Sequence, residues 1–216
     1  AWSNGYPMSS PWQAVEDFEV ALCAYTGAPF AVALSSCTAA LLLATKWHIR
    51  DGGVFSIPSE GWSTIVEIPR KTYISVPCAI MHAGGTIDWR DEDWRGSYRL
   101  EPLPVWDCAL RFTSGMYVAG HYQCVSFAAA KILGLEQGGA ILHSNSDADL
   151  WFRKMRFDGR TPGKEVAEDD IDVCGYHFPM LPSTAAALTL RLHHLPRHNA
   201  DQVREYPDIS TKAIFR

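Results

Sequence analysis

Apolar positions recur three and four residues apart from Trp12 to Tyr25, with Val15, Phe18, Leu22 and Tyr25 on one face, and this spacing predicts a helix. Thr26-Gly27-Ala28-Pro29 ends it. Short apolar runs predict strands at Phe30 to Leu34, Thr64 to Pro69, Ile87 to Trp89, Leu103 to Trp106, Cys124 to Phe127 and Ala140 to Leu142. Between and after them lie helical stretches: a strongly apolar one from Ala39 to Trp47, one that follows a turn within Thr72 to Met81, one from Asp147 to Phe157, and a last from Thr184 to Leu195. Asp147 and Asp149 suit the N-terminal end of the third. The acidic and aromatic run Asp88 to Tyr98 reads as surface, and Asp158 to Asp172 as an exposed loop. Ala1 to Trp12 reads as an irregular arm, Arg50 to Trp62 as turn-rich, and the residues after Leu195 as a polar tail. Strands alternating with helices predict an α/β domain with a mainly parallel sheet, and such sheets bind ligands outside the carboxyl ends of their strands.

Composition narrows the function. A chain of 216 residues supports one large domain with a true core, burying roughly 70% of the surface its unfolded form exposes. A net charge of -5 offers no electrostatic attraction to nucleic acid or to an acidic membrane. The six cysteines are scattered without a C-x-x-C pair and read as small buried hydrophobes of a reducing compartment. The adjacent His193 and His194 point to different sides of a helix, so no metal site is expected. With no signal peptide and no apolar run of about 20 residues, a cytoplasmic location is expected.

Three predicted strand ends carry polar groups. Ser35-Ser36-Cys37-Thr38 lies at a strand-to-helix turn, and reads either as a plain helix cap or as a phosphate cradle of hydroxyls and free N–H groups. Asp107 closes a hydrophobic strand, as a structural cap or as the partner of a cationic ring nitrogen. Ser126 and Lys131 stand five residues apart, with the lysine among small and apolar neighbours. Such a lysine either extends its amine to water or has the lowered pKa that imine chemistry with an aldehyde requires. A phosphate, an aldehyde and a pyridine nitrogen are the three handles of pyridoxal phosphate.

The order of these residues resembles the DegT/DnrJ/StrS family of pyridoxal-phosphate sugar aminotransferases, which have the fold type I architecture. Ser36-Cys37-Thr38-Ala39-Ala40-Leu41 is similar to that family's S-G-T-x-A-L phosphate turn, and Pro69 with Thr72-Tyr73-Ile74-Ser75 to its P-x-x-T-[WFY]-x-[AS] segment. Asp107-Cys108-Ala109 resembles the D-x-A motif, and Ser126-Phe127 with Lys131, then Glu136-Gln137-Gly138-Gly139, the S-F-x-x-x-K motif and its hairpin. Gly175-Tyr176-His177-Phe178 falls where the family has G-Y-N-Y-R. The resemblance implies that Lys131 forms the internal aldimine and shuttles a proton, and that Asp107 pairs with the pyridinium nitrogen. It implies that Tyr73 stacks on the ring, that Ala109 packs beneath it, and that Ser126, Thr38 and the backbone near Cys37 hold the phosphate. His177 would reach the phosphate of a partner subunit, in a homodimer with shared active sites.

The implied reaction is transfer of an amino group, from glutamate, to a nucleotide-linked keto sugar. The alternatives are another pyridoxal-phosphate reaction on a small amine or amino acid, and a cofactor-binding protein with reduced or lost turnover. Cys37 replaces a glycine, Leu110 a His or Gln, His177 an asparagine and Pro179 an arginine of the family pattern. The expected layout is an arm over 1–12, a cofactor-binding large domain over 13–195, and a short tail over 196–216 in place of the family's smaller C-terminal domain.

Overall fold

A computed structural model describes residues 10, 12–51 and 64–215. Most of the arm expected over Ala1 to Trp12, and of the turn-rich segment Arg50 to Trp62, lies outside the described residues. Helix α1 (Gln13–Thr26) ends where Gly27 takes φ 80°, a left-handed geometry that glycine adopts without steric penalty. Strand β1 (Phe30–Leu34) leads into α2 (Cys37–Lys46), which continues as a π-helical turn over Trp47–Asp51. Then come β2 (Ile65–Pro69), α3 (Ser75–Ala83), β3 (Thr86–Arg90), β4 (Tyr98–Leu100), β5 (Val105–Asp107), β6 (Tyr122–Ser126) and β7 (Gly139–His143). Helices α4 (Ser146–Met155) and α5 (Pro182–His194) complete the regular elements, apart from short 3-10 turns at Val166–Glu168 and Ala213–Phe215. Asn145 caps α4 by accepting from the N–H groups of Asp147 and Ala148, while Asp147 and Asp149 sit in its first turn.

The main sheet has the order β1-β7-β6-β5-β4, and β2 and β3 form a parallel pair beside it. Glu67 in β2 exchanges backbone hydrogen bonds with Glu101, just past β4. The central sheet is mixed, as fits the expected α/β class: β1–β7, β6–β7 and β4–β5 are antiparallel, and β5–β6 is parallel. The short link from Leu100 to Val105 leaves no room for a crossover and reverses the chain, whereas the longer link from Asp107 to Tyr122, also without a helix, returns β6 parallel to β5. Even so, β1, β5 and β6 all point one way. The antiparallel bridge between Glu67 and Glu101 sets β2 in that same direction. Four strand ends therefore open on one edge.

Alternating residues of β1 divide the core. Val32 and Leu34 pack with α2, α3 and α4 on one face, and Ala31 and Ala33 pack with α1 and α5 on the other. Ala39 through Thr45 of α2 are all buried, so the helix is apolar nearly all round because it lies between the sheet and α3. Among the described residues no helix is long and apolar enough to cross a membrane.

Two surface assignments are corrected. Tyr98, at the end of the run read as exposed, is fully enclosed. The residues read as a polar tail are bound along their length: Asp201 holds Arg111 in a two-pronged pair at 2.9 and 2.6 Å, and the N–H of Ile209 donates to the carbonyl of Arg70.

Candidate active site

The four aligned strand ends surround a cavity of about 310 Å³. After β1 comes Ser36, whose hydroxyl accepts the N–H of Ala39 at 3.1 Å and so starts α2, and Ser36, Cys37 and Thr38 at that helix start line the cavity. Cys37 turns its Sγ back toward the carbonyl of Cys124 in β6, at 3.6 Å, so a side chain fits where the turn approaches the sheet. Gly139 of β7 makes this approach possible. A Cβ built on it would lie 2.3 Å from the backbone nitrogen of Cys37, far inside contact distance.

Past β2, the buried Thr72 and the exposed Tyr73 line the cavity. Past β5, Asp107 is buried and its two oxygens are separately held. The N–H of Ala109 donates to Oδ1 at 2.9 Å, and the hydroxyl of Tyr98 donates to Oδ2 at 3.0 Å. That hydroxyl also bonds Oγ1 of Thr72 at 2.5 Å. Past β6, Ser126 accepts from the N–H of Ala128 at 3.5 Å, and Lys131 closes a tight turn by donating its N–H to the carbonyl of Ala128.

Burial governs the titration of the site. It raises the pKa of Asp107, against the N–H of Ala109, the Tyr98 hydroxyl and the charge of Lys131, which all favour the carboxylate. It lowers the pKa of Lys131, with Arg204 adding to the effect and Asp107 and Cys37 opposing it. Burial also raises the Cys37 thiol well above its ordinary value, so that group stays neutral. Each shift moves its group toward the uncharged form.

Lys131, Asp107, Tyr73, Ser126, Cys37, Thr38 and Ala109 all line this one cavity. His177 does not. Its side chain is 71% exposed, bonds Asp158 at 2.9 Å, and lies beside Phe157. Sequence reasoning missed Trp94, Tyr98, Arg204 and Tyr206, and placed Thr72 in a motif without giving it a role. Tyr98 reaches Asp107 because the antiparallel register sets the two residues opposite each other. The signal available in the chain was a Trp and a Tyr within the acidic run, and an Arg and a Tyr within the polar tail.

A family model for the DegT/DnrJ/EryC1/StrS aminotransferases matches residues 6–90 and 115–211. The chain belongs to this family, whose members are pyridoxal-phosphate enzymes. Similar solved structures include AtS13 from Actinomadura melliaura, at 20% identity and a TM-score of 0.70, covering 89% of this chain and 62% of that one. The sugar aminotransferase CalS13 from Micromonospora echinospora matches at 20% identity and a TM-score of 0.67, covering 89% of this chain and 63% of its own. PseC of Helicobacter pylori, an aminotransferase of pseudoaminic acid biosynthesis, matches at 18% identity and 0.67, covering 84% and 57%. The chain thus spans less than two thirds of the length of these structures. A comparison with curated proteins found no match.

Proposed function

We propose that the chain carries the cofactor site of a pyridoxal-phosphate aminotransferase that moves an amino group from glutamate to a nucleotide-linked keto sugar. The observation that carries this reading is the meeting of Lys131, Asp107 and the Ser36-Cys37-Thr38 turn in one cavity. The donor set fits the cofactor's three handles. The N–H groups that open α2, with the hydroxyls of Thr38 and Ser126, suit a phosphate. The amine of Lys131, made less basic by burial, suits an aldehyde. The buried carboxylate of Asp107 suits a protonated ring nitrogen, since a cation there relieves the cost of its ionisation. Tyr73 offers a ring at the rim, and Ala109 a small side chain beneath.

Pyridoxal phosphate, when bound, supplies an electrophilic carbon and a ring that withdraws electrons from the substrate. Asp107 would pair with the ring nitrogen and keep its proton in place, which would maintain that withdrawal. Tyr98 and the N–H of Ala109 orient Asp107 for this role. Lys131 Nζ, as a free amine, would take the proton from the substrate carbon that bears the amino group and hold it for redelivery within the same cavity. Two copies of the chain complete the site, with His177 of each serving the other.

Borohydride treatment of the cofactor-loaded protein should leave the reduced cofactor's mass on Lys131, and glutamate should convert the absorbance of the bound aldehyde to that of the amine. A cofactor that binds without responding to any amino acid would sink the aminotransferase reading. Full activity in a monomer measured by light scattering would sink the shared site.

A further inference from the structure

Besides Lys131, the cavity holds a second cation, and among the described residues no carboxylate lies within ion-pair distance of it. Arg204 comes from the segment that follows α5 and lines the same cavity as Lys131. Its guanidinium lies 5.7 Å from the centroid of the Tyr206 ring. Tyr206 stacks on Trp94 at 5.9 Å with an angle of 18°, and the indole N–H of Trp94 donates to the carbonyl of Lys71 at 2.9 Å. This series of contacts orients the guanidinium.

The segment is also tied down next to the reacting lysine. The side-chain amide of Gln202 donates to the carbonyl of Ala130 at 3.0 Å, and its backbone N–H donates to the carbonyl of Leu110 at 2.9 Å. A second hollow, lined by Lys71, Glu92, Asp93 and Glu205, shares Trp94, Arg204 and Tyr206 with the first. Arg204 therefore stands at the junction of the inner cavity and its outer hollow.

We propose that Arg204 binds an oxyanion of the substrate that reacts at Lys131, and thereby selects anionic substrates. Arginine offers parallel donors in a planar fork that matches a carboxylate or a phosphate. An amino acid carries its carboxylate one carbon from the reacting nitrogen, so a donor held at Lys131 brings that group into this cavity. A phosphate-linked acceptor would place its anion on the same guanidinium, since the outer hollow carries the carboxylates of Glu92, Asp93 and Glu205 and would repel it. The inference rests on the aminotransferase reading for the identity of the substrate, and on the geometry of Arg204 for the binding itself.

The test is calorimetric titration of the cofactor-loaded protein with glutarate, an unreactive dicarboxylate, and separately with uridine diphosphate. In Arg204→Gln, binding of at least one probe should weaken by about 10- to 100-fold, the range for losing a charge-assisted hydrogen bond. Loss of glutarate assigns the carboxylate, and loss of the diphosphate assigns the acceptor. Arg204→Lys should retain part of the affinity, and Val203→Ala, an exposed neighbour, should retain all of it. The proposal fails if the parent binds neither probe, or if Arg204→Gln binds both as the parent does. If glutarate binding depends on Arg204 while glutamate leaves the absorbance unchanged, the aminotransferase reading fails and the anion site stands.

Discussion

Replacing Tyr98 by phenylalanine removes one oxygen from between two buried partners, Asp107 and Thr72. The ring stays, so packing is nearly conserved and the loss is confined to hydrogen bonding. Thr72 loses a neutral bond, and Asp107 loses a donor that favours its ionised form. An unpaired buried group costs about 1–3 kcal/mol, so with Asp107 ionised the two together cost about 2–6 kcal/mol. In a chain of this size each kcal/mol shifts the melting temperature by about 2–4 °C, so the expected drop is roughly 4–24 °C.

The pH dependence is the sharper readout. Burial raises Asp107 in the folded protein, which then holds its proton more firmly than the unfolded chain does. The stability contributed by this group is full below the ordinary carboxylate range and is lost as the pH rises through the raised value. Without the Tyr98 donor that value rises further, so the variant loses more than the parent on going from acid to neutral pH. Thermal melts of the cofactor-free protein between pH 5 and pH 8 should show a gap that widens with pH. Thr72→Val, which leaves the bond from Tyr98 to Asp107, should show a constant gap. A Tyr98→Phe gap that is flat or narrows as the pH rises would refute the coupling between this hydroxyl and Asp107.

Three further outcomes follow from the same geometry. Asp107→Asn should slow the glutamate half-reaction by about 100-fold or more while leaving borohydride capture on Lys131 intact; a rate within a few-fold of the parent would remove its role at the ring nitrogen. Gly139→Ala forces a Cβ against the backbone of Cys37, which no rotamer change relieves, so urea unfolding should show a loss of about 1–3 kcal/mol and titration a weaker cofactor. Unchanged values would mean that β7 and the phosphate turn are not packed as described. Glu19 is buried, accepts the N–H of Ala33 at 2.8 Å, and pairs with Arg153 at 2.6 Å and with Arg156. Glu19→Ala strands Arg156 against β1, while Arg153 keeps Asp149 at 2.7 Å, and should cost about 3–5 kcal/mol by urea unfolding, whereas a loss below about 1 kcal/mol would show that solvent already screens the cluster.

The local elements were legible because each has a local cause. The spacing of Val15, Phe18 and Leu22 specifies α1, and Gly27 its end, without reference to the rest of the chain. The short apolar runs became strands within a residue or two of their expected bounds. The polar groups after β1, β5 and β6 were legible for a related reason, since a hydroxyl, a carboxylate or an amine at the end of an apolar run stands out against its neighbours. The direction of β7 was not legible, because a short return and a crossover leave the same apolar signature in five residues.

Pairings between distant residues belong to the tertiary structure alone. The run containing Tyr98 has a surface composition, yet the register of β4 on β5 carries its hydroxyl into the core beside Asp107. Arg204 and Tyr206 sit in a stretch of polar residues with no periodicity, and reach the cavity because Asp201, Gln202 and Ile209 fasten that stretch across it. The chain by itself pointed to the residues proposed to carry chemistry, since side-chain type and local burial pattern are written in order along it. The structure decided which of them meet, and which neighbours orient them, because strand register and the path of the last segment depend on contacts between residues far apart in sequence.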